Sequence, residues 1–400
     1  MKIKIHNGTL LTPYRRIPNG TLLIENGKIV AVSETDLDVS DALEIDAKGY
    51  FVAPGFIDIH VHGGGGHDFM DGTEEAFLAI AETHARYGTT ALVPTTLTSE
   101  KKDLLHTLEL YEQAHRHNHR GAQFLGMHLE GPYFAMSQRG AQDPRYIRNP
   151  DPAEYLEVLA RSASIARWSA APELEGALEF GRCLRERGIV AALAHTEAVY
   201  EEVLEAYENG YNLATHLYSG MLGVTRRHAY RYAGAVESAF LIDGMDVEII
   251  ADGIHLPAPL LKLVYKIKGP SRIALITDAM RAAGMPPGES TLGSLKNGLK
   301  VIVEDGVAKL PDRTAFAGSV ATANQLIRSM IQLAEVPLPE AVEMLTATPA
   351  RIMGVEKQKG SLTVGKDADV VIFDAEINIQ STLVRGKIVF ESTPSGGTQR

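Results

Sequence analysis

Cysteine is almost absent. Cys183 stands alone in 400 residues, so no intrachain disulfide can form and no zinc cluster can be built from thiolates. A reducing compartment suits such a chain. The opening Met1-Lys2-Ile3-Lys4-Ile5-His6-Asn7-Gly8 lacks the apolar stretch of a signal peptide, and no apolar run approaches the roughly 18 residues that a membrane helix needs. A soluble, cytoplasmic protein with no membrane partner is expected. Positive charge is short as well. Lys and Arg number 39 against 50 Asp and Glu, a formal net charge of −11, which argues against a nucleic-acid partner. A local arginine cluster remains compatible with a small anionic substrate. The hydrophobic fraction of 45% and the charged fraction of 22% are those of an ordinary globular chain, which excludes disorder and fibre. At 400 residues the length exceeds the roughly 100–200 of one simple domain, so a large domain with a smaller companion is expected.

Both ends read as sheet. Leu22-Leu23-Ile24-Glu25 and Lys28-Ile29-Val30-Ala31-Val32 flank Asn26-Gly27, a hairpin signal because a type I′ turn needs positive φ at both central positions. Asp369–Phe373 and Leu383–Val389 read as short strands joined by turns. Neither end has enough strands for a core of its own. One small β domain, a sandwich built from 1–52 and 346–400, is therefore expected. Residues 53–345 alternate strand and helix. Phe56–His62, Thr89–Pro94, Gln123–Leu129, Ile165–Ala170, Ile189–Ala194, Asn212–His216, Val247–Ala251 and Ile273–Thr277 are short apolar runs, as in parallel strands buried on both faces. Thr73 caps a helix over Glu74–Tyr87, and a second runs over Leu174–Arg187. Eight such units predict a (β/α)8 TIM-type barrel, with a doubly wound sheet as the alternative. Leu292–Leu310 reads as an extra strand-like segment, a flap.

Polar residues gather at the strand ends. His60-Val61-His62 closes the first strand, and alternation sends both imidazoles to one side. Taken alone, the pair reads equally well as a metal site or as two solvated histidines. The third strand runs into His128-Leu129-Glu130, the fifth ends in His195, the sixth in His216 and the eighth in Asp278. In a barrel these termini open onto one face, where active sites lie. Core packing does not account for histidines and carboxylates at five strand ends, whereas a divalent metal does; imidazole and carboxylate suit zinc, iron or manganese.

Pro54-Gly55-Phe56-Ile57-Asp58-Ile59-His60-Val61-His62 is similar to the signature of the amidohydrolase superfamily. His128-Leu129-Glu130-Gly131-Pro132-Tyr133, Ala194-His195-Thr196, Thr215-His216-Leu217-Tyr218, Ala251-Asp252-Gly253-Ile254-His255, Thr277-Asp278-Ala279 and Ala317-Gly318-Ser319 resemble its N-acetylglucosamine-6-phosphate deacetylase branch. The resemblance spans nearly the whole chain. It implies a principal metal held by Glu130, His195 and His216, and a second ion held by His60 and His62 with Glu130 bridging, so one or two ions per chain. Strand four offers no lysine, which disfavours branches that bridge their metals with a carbamylated one. Asp278 is implied as the general base and then acid; a metal ligand or a helix cap is the alternative role. His255 resembles the substrate-binding histidine, and Arg227, within Arg226-Arg227-His228, the phosphate ligand; an ordinary surface charge cluster is the alternative there. Ala141, Gln142, Ser219 and Gly220 border the implied sugar-phosphate pocket. Relatives commonly carry Asn-Ala where this chain has Ser219-Gly220, and Gly-Ala-His where it has Gly140-Ala141-Gln142. The implied substrate is a phosphorylated N-acetylhexosamine, gluco or galacto, or another N-acyl amino sugar; the implied assembly is a homodimer or a higher homo-oligomer. A catalytically inactive barrel used for binding would lack ligands, and none is lacking. A deaminase would release ammonia instead of acetate. The histidine-rich stretch from His115 to Arg120 reads as solvated surface. Gly360 to Lys366 fails as a phosphate loop, because Asp367 stands where Ser or Thr belongs and a strand follows.

Overall fold

The computed structural model describes residues 1–393. Eight strands drawn from both ends form one mixed sheet, ordered Lys387–Glu391, Ile379–Val384, Val370–Phe373, Phe51–Pro54, Lys2–Leu11, Arg16–Glu25 and Lys28–Ser33, with Ala42–Asp46 also on Lys2–Leu11. The expected turn is present: Asn26 (φ 50°) and Gly27 (φ 78°) both take positive φ between the paired residues Glu25 and Lys28. Arg385 and Gly386 repeat this geometry between Val384 and Lys387. Ile3, Ile5, Leu22 and Ile24 pack with Val370, Ile372 and Leu383 in one core, which gives a sandwich-like unit shared by the two ends. Buried Lys359 bonds Asp369 at 2.6 Å and Asp367 at 3.1 Å, and Lys28 reaches Asp367 at 2.7 Å. These ion pairs stitch the late segment to the first hairpin.

The middle of the chain is a barrel of eight parallel strands: Phe56–Val61, Thr89–Thr96, Met127–Glu130, Ile165–Ala170, Val190–Leu193, Tyr211–Ala214, Asp246–Ile249 and Ile273–Leu275. The doubly wound alternative is excluded because the first and last strands meet. Asp278 N–H donates to His60 O and His62 N–H to Ala279 O, each at 2.9 Å. Asp58 seals that seam from inside, accepting the Thr277 hydroxyl at 2.5 Å and the Thr277 and His60 N–H groups at 3.3 Å. Its burial, only partly offset by these bonds, pushes its carboxyl up to about 7.

Expected boundaries shift where glycine intervenes. The third strand is broken into Gln123–Phe124 and Met127–Glu130 next to Gly126, whose φ of 107° leaves the strand region and where a Cβ would lie 2.5 Å from Ala166 Cβ on strand four. The helix expected from Leu174 begins at Ala177, after Gly176 in the left-handed region. The first barrel helix, Glu74–Ala85, is capped by Thr73 as expected, its hydroxyl accepting from Ala76 N at 3.2 Å. Gly288–Leu292, Leu299–Glu304 and Val307–Lys309 form the small antiparallel sheet where a flap was expected. Arg281, three residues past Asp278, staples it down by bonding Asp71, Gly66 O and Gly293 O. No helix among the described residues is long and apolar enough to cross a membrane.

Candidate active site

Side-chain alternation and left-handed backbone build the site. His60 and His62 flank outward-facing Val61 at the end of strand one, and their Nε2 atoms lie 3.2 Å apart. His195 (φ 47°), His216 (φ 33°) and Asp278 (φ 47°) each leave their strands in the left-handed region, which costs a residue with a Cβ about 1–3 kcal/mol. Three such residues at one barrel mouth mark a functional site, not a packing solution. Glu130 is the hub. Its Oε1 lies 3.0 Å from His216 Nε2, 3.3 Å from His195 Nε2 and 3.7 Å from His60 Nε2, and its Oε2 lies 3.4 Å from His62 Nε2. Asp278 Oδ1 completes the ring, 3.2 Å from His62 Nε2 and 3.5 Å from His60 Nε2. All six side chains are buried.

The electrostatics are those of acceptors crowded out of water. Burial raises the Glu130 carboxyl, but the His195 and His216 imidazoles outweigh it and hold the group well below the usual carboxylate range. Asp278 is likewise raised by burial and lowered further by His60 and His62. Burial disfavours charge on His62, yet Asp278 and Glu130 raise it to about 10. Two carboxylates face four ring nitrogens in this buried site, and the positive charge they draw onto His62 is charge that a divalent ion would supply.

A metal fits this donor set. His195 Nδ1 donates to Gln138 O at 2.7 Å and His216 Nδ1 to Ser219 O at 3.1 Å, which fixes both tautomers with the Nε2 lone pair inward. His60–His62–Asp278 and His60–Glu130–His216 each place their ligand atoms within 4.8 Å of one another. The buried Nδ1 atoms of His60 and His62 have no hydrogen-bond partner among the described residues, while their Nε2 atoms face the Glu130 and Asp278 carboxylates. The donors are nitrogen and oxygen only, as expected for zinc, iron or manganese.

Above the donors lies a cavity of about 320 Å³, lined by His62, Glu130, His195, His216 and Asp278 together with Ala141, Gln142, Ser219, Gly220, His255 and Phe316. His255 Nδ1 donates to Asp252 Oδ2 at 2.7 Å, which leaves Nε2 for the cavity. Gly220 is required where it stands, since a Cβ there would lie 2.7 Å from His195 Nδ1. Gln142 is held at both ends: its amide nitrogen donates to Glu130 Oε2 at 2.7 Å and its oxygen accepts from Thr98 N at 2.9 Å. Arg227 is not among the residues lining the cavity. It stands exposed on a two-stranded hairpin, Thr225–Arg227 and Tyr230–Tyr232, its guanidinium 5.2 Å over the Tyr232 ring.

Sequence reasoning missed an ion pair beneath the site. Arg167 on strand four and Glu248 on strand seven are wholly buried and joined through both terminal guanidinium nitrogens. The signal was readable: each is a charged residue inside a strand otherwise buried on both faces. His128 is brought near but does not join the cluster. Burial, with Arg167 nearby, holds its ring far below its ordinary value, and it bonds Ser169 and Thr95 instead.

Comparison with known proteins agrees with this geometry. Residues 51–389 match the amidohydrolase family. The chain is 32% identical to an N-acetylglucosamine-6-phosphate deacetylase of Lysinibacillus sphaericus, covering 97% of this chain and 98% of the relative. It is 35% identical to an N-acetylgalactosamine-6-phosphate deacetylase of Escherichia coli O157:H7, covering 95% and 97%. A mutant N-acetyl-D-glucosamine-6-phosphate deacetylase from Mycobacterium smegmatis, solved in complex with N-acetyl-D-glucosamine-6-phosphate, superposes with a TM-score of 0.89 at 31% identity over 97% of this chain and 99% of that one. From the donor ring at the barrel mouth to the sheet shared by its two ends, the chain belongs to the amidohydrolase family.

Proposed function

We propose that the protein hydrolyses the acetamide of N-acetylglucosamine 6-phosphate, giving glucosamine 6-phosphate and acetate, in amino-sugar catabolism. The observation that carries this reading is Asp278 Oδ1 lying 3.2–3.5 Å from the two strand-one imidazoles at the floor of the cavity. There a carboxylate and the metal donors address one small volume. Glu130, His195 and His216 would hold one ion, and His60 and His62, with Glu130 shared, a second; zinc, iron and manganese suit these donors. A divalent ion so held polarises a carbonyl and lowers the pKa of a water from 15.7 to about 7.

The chain's own groups do the rest. Asp278 accepts the proton of the attacking water as its oxygen bonds the acetamide carbon. It then delivers that proton to the sugar nitrogen as the carbon–nitrogen bond breaks, so that a neutral amine departs. General acid–base work of this kind contributes about 10²–10⁴ in rate. His255 Nε2 orients the sugar or the acetamide oxygen, and Ala141, Ser219 and Gly220 border the sugar phosphate. Arg227 binds the phosphate, for which a guanidinium fork is matched. Its hairpin stands outside the cavity, and a homodimer in which such hairpins approach a neighbouring mouth agrees with that exposure. A single cysteine suits a reducing compartment such as the cytoplasm.

A second reading is favoured by one observation. The Escherichia coli O157:H7 relative, at 35% identity, is named for the galacto epimer, so N-acetylgalactosamine 6-phosphate is the alternative substrate. The reaction class is tested by chelating the protein, restoring metal and assaying the products. Acetate released only by the restored protein supports the reading, and ammonia in place of acetate contradicts it.

A further inference from the structure

The Arg167–Glu248 pair lies one layer beneath the donor ring, and its contacts are directional. Arg167 donates to Ile59 O at 3.2 Å, the carbonyl just before His60, and to Thr215 Oγ1 at 2.8 Å, just before His216. Its other bonds hold both oxygens of Glu248. Glu248 Oε2 then faces His60 Nδ1 at 3.6 Å, slightly beyond hydrogen-bond reach, and that ring nitrogen has no hydrogen-bond partner among the described residues. Stability alone is a weak reason for the pair, because a buried ion pair is often no better than apolar residues of similar volume. A ligating histidine, by contrast, needs an acceptor for its second ring N–H, which fixes the tautomer and aims the lone pair. His195 and His216 have backbone carbonyls in that role. Among the described residues His60 has only Glu248, and His62 has no such acceptor.

We infer that Glu248, anchored by Arg167, is the positioning residue for His60: it accepts the Nδ1 proton and turns Nε2 toward the second ion. The inference rests on the two-ion reading given above. It separates two kinds of support within one site, carbonyls behind the principal ion's two histidines and a carboxylate behind His60, one of the second ion's two.

The test counts ions and leaves activity aside. Wild type, Glu248→Gln and the double variant Arg167→Leu/Glu248→Leu are stripped, checked for folding by thermal melting in chelator, and titrated with Zn²⁺ by calorimetry. Binding of the second ion weakened by about 10- to 100-fold, with the first unchanged, is the expected result, that being the usual cost of losing an outer partner. Two ions bound as in wild type would make the pair a plain structural ion pair and overturn the inference. Equal weakening of both ions would overturn it too. Should neither variant fold, a crystal structure of the zinc-loaded wild type decides: Nδ1 to Oε2 within about 3.2 Å supports it, and a longer separation overturns it. A wild type that binds no ion refutes the metal reading itself, whereas two ions with an unresponsive pair refute only this inference.

Discussion

Gln142 donates its amide to Glu130 Oε2 across 2.7 Å while its own oxygen accepts the Thr98 N–H at 2.9 Å. The residue therefore holds the Glu130 carboxylate at a fixed rotation while it also lines the cavity, where the sequence places it. A hydrogen bond to a charged group is worth about 1.5–3 kcal/mol. Gln142→Leu is accordingly expected to weaken metal binding by roughly 10- to 150-fold, read by competition with a chelator. Unchanged metal affinity with a raised KM would return Gln142 to substrate binding.

Asp278→Asn is nearly isosteric but cannot carry the proton. The fold and most of the metal should persist while kcat falls by about 10²–10⁴. Turnover near wild type at full metal content would remove Asp278 from the proton path and leave it a ligand or a cap.

Arg227→Ala should cost roughly 10- to 150-fold in kcat/KM on the phosphorylated sugar, the scale of one charged hydrogen bond. On unphosphorylated N-acetylglucosamine the same variant should lose little, having no phosphate to release. Equal fractional losses on the two sugars would assign Arg227 a structural role.

Thr277→Val tests the barrel seam. It keeps the shape of the side chain but removes the hydroxyl that Asp58 accepts at 2.5 Å, leaving a buried carboxylate short of a partner. Urea unfolding should show a loss of about 1–3 kcal/mol. A loss within experimental error would mean that the two 3.3 Å backbone bonds suffice.

What could be read without coordinates followed local rules. The Asn26-Gly27 turn, the Thr73 cap and eight buried strands all express preferences of a few adjacent residues. His60, His62, Glu130, His195, His216 and Asp278 were legible because strand ends in a barrel share one face, so position along the chain predicts convergence in space. The remainder depended on contacts between distant segments. Nothing near Gln142 announces its bond to Glu130, and Arg167 and Glu248 find each other across 81 residues. At Gly126, beside the break, only glycine fits, because Ala166 on the neighbouring strand stands against it. Arg227 illustrates the opposite limit: its chemistry is plain from composition, but its distance from the cavity is a matter of tertiary placement.

The most direct test is acetate release by the metal-loaded protein from N-acetylglucosamine 6-phosphate and N-acetylgalactosamine 6-phosphate, measured side by side with a chelated control. The account predicts acetate from the gluco sugar with the higher kcat/KM, abolished by chelation. A preference for the galacto epimer would move the substrate assignment to the alternative, and no acetate from either sugar in the metal-loaded protein would contradict the account outright.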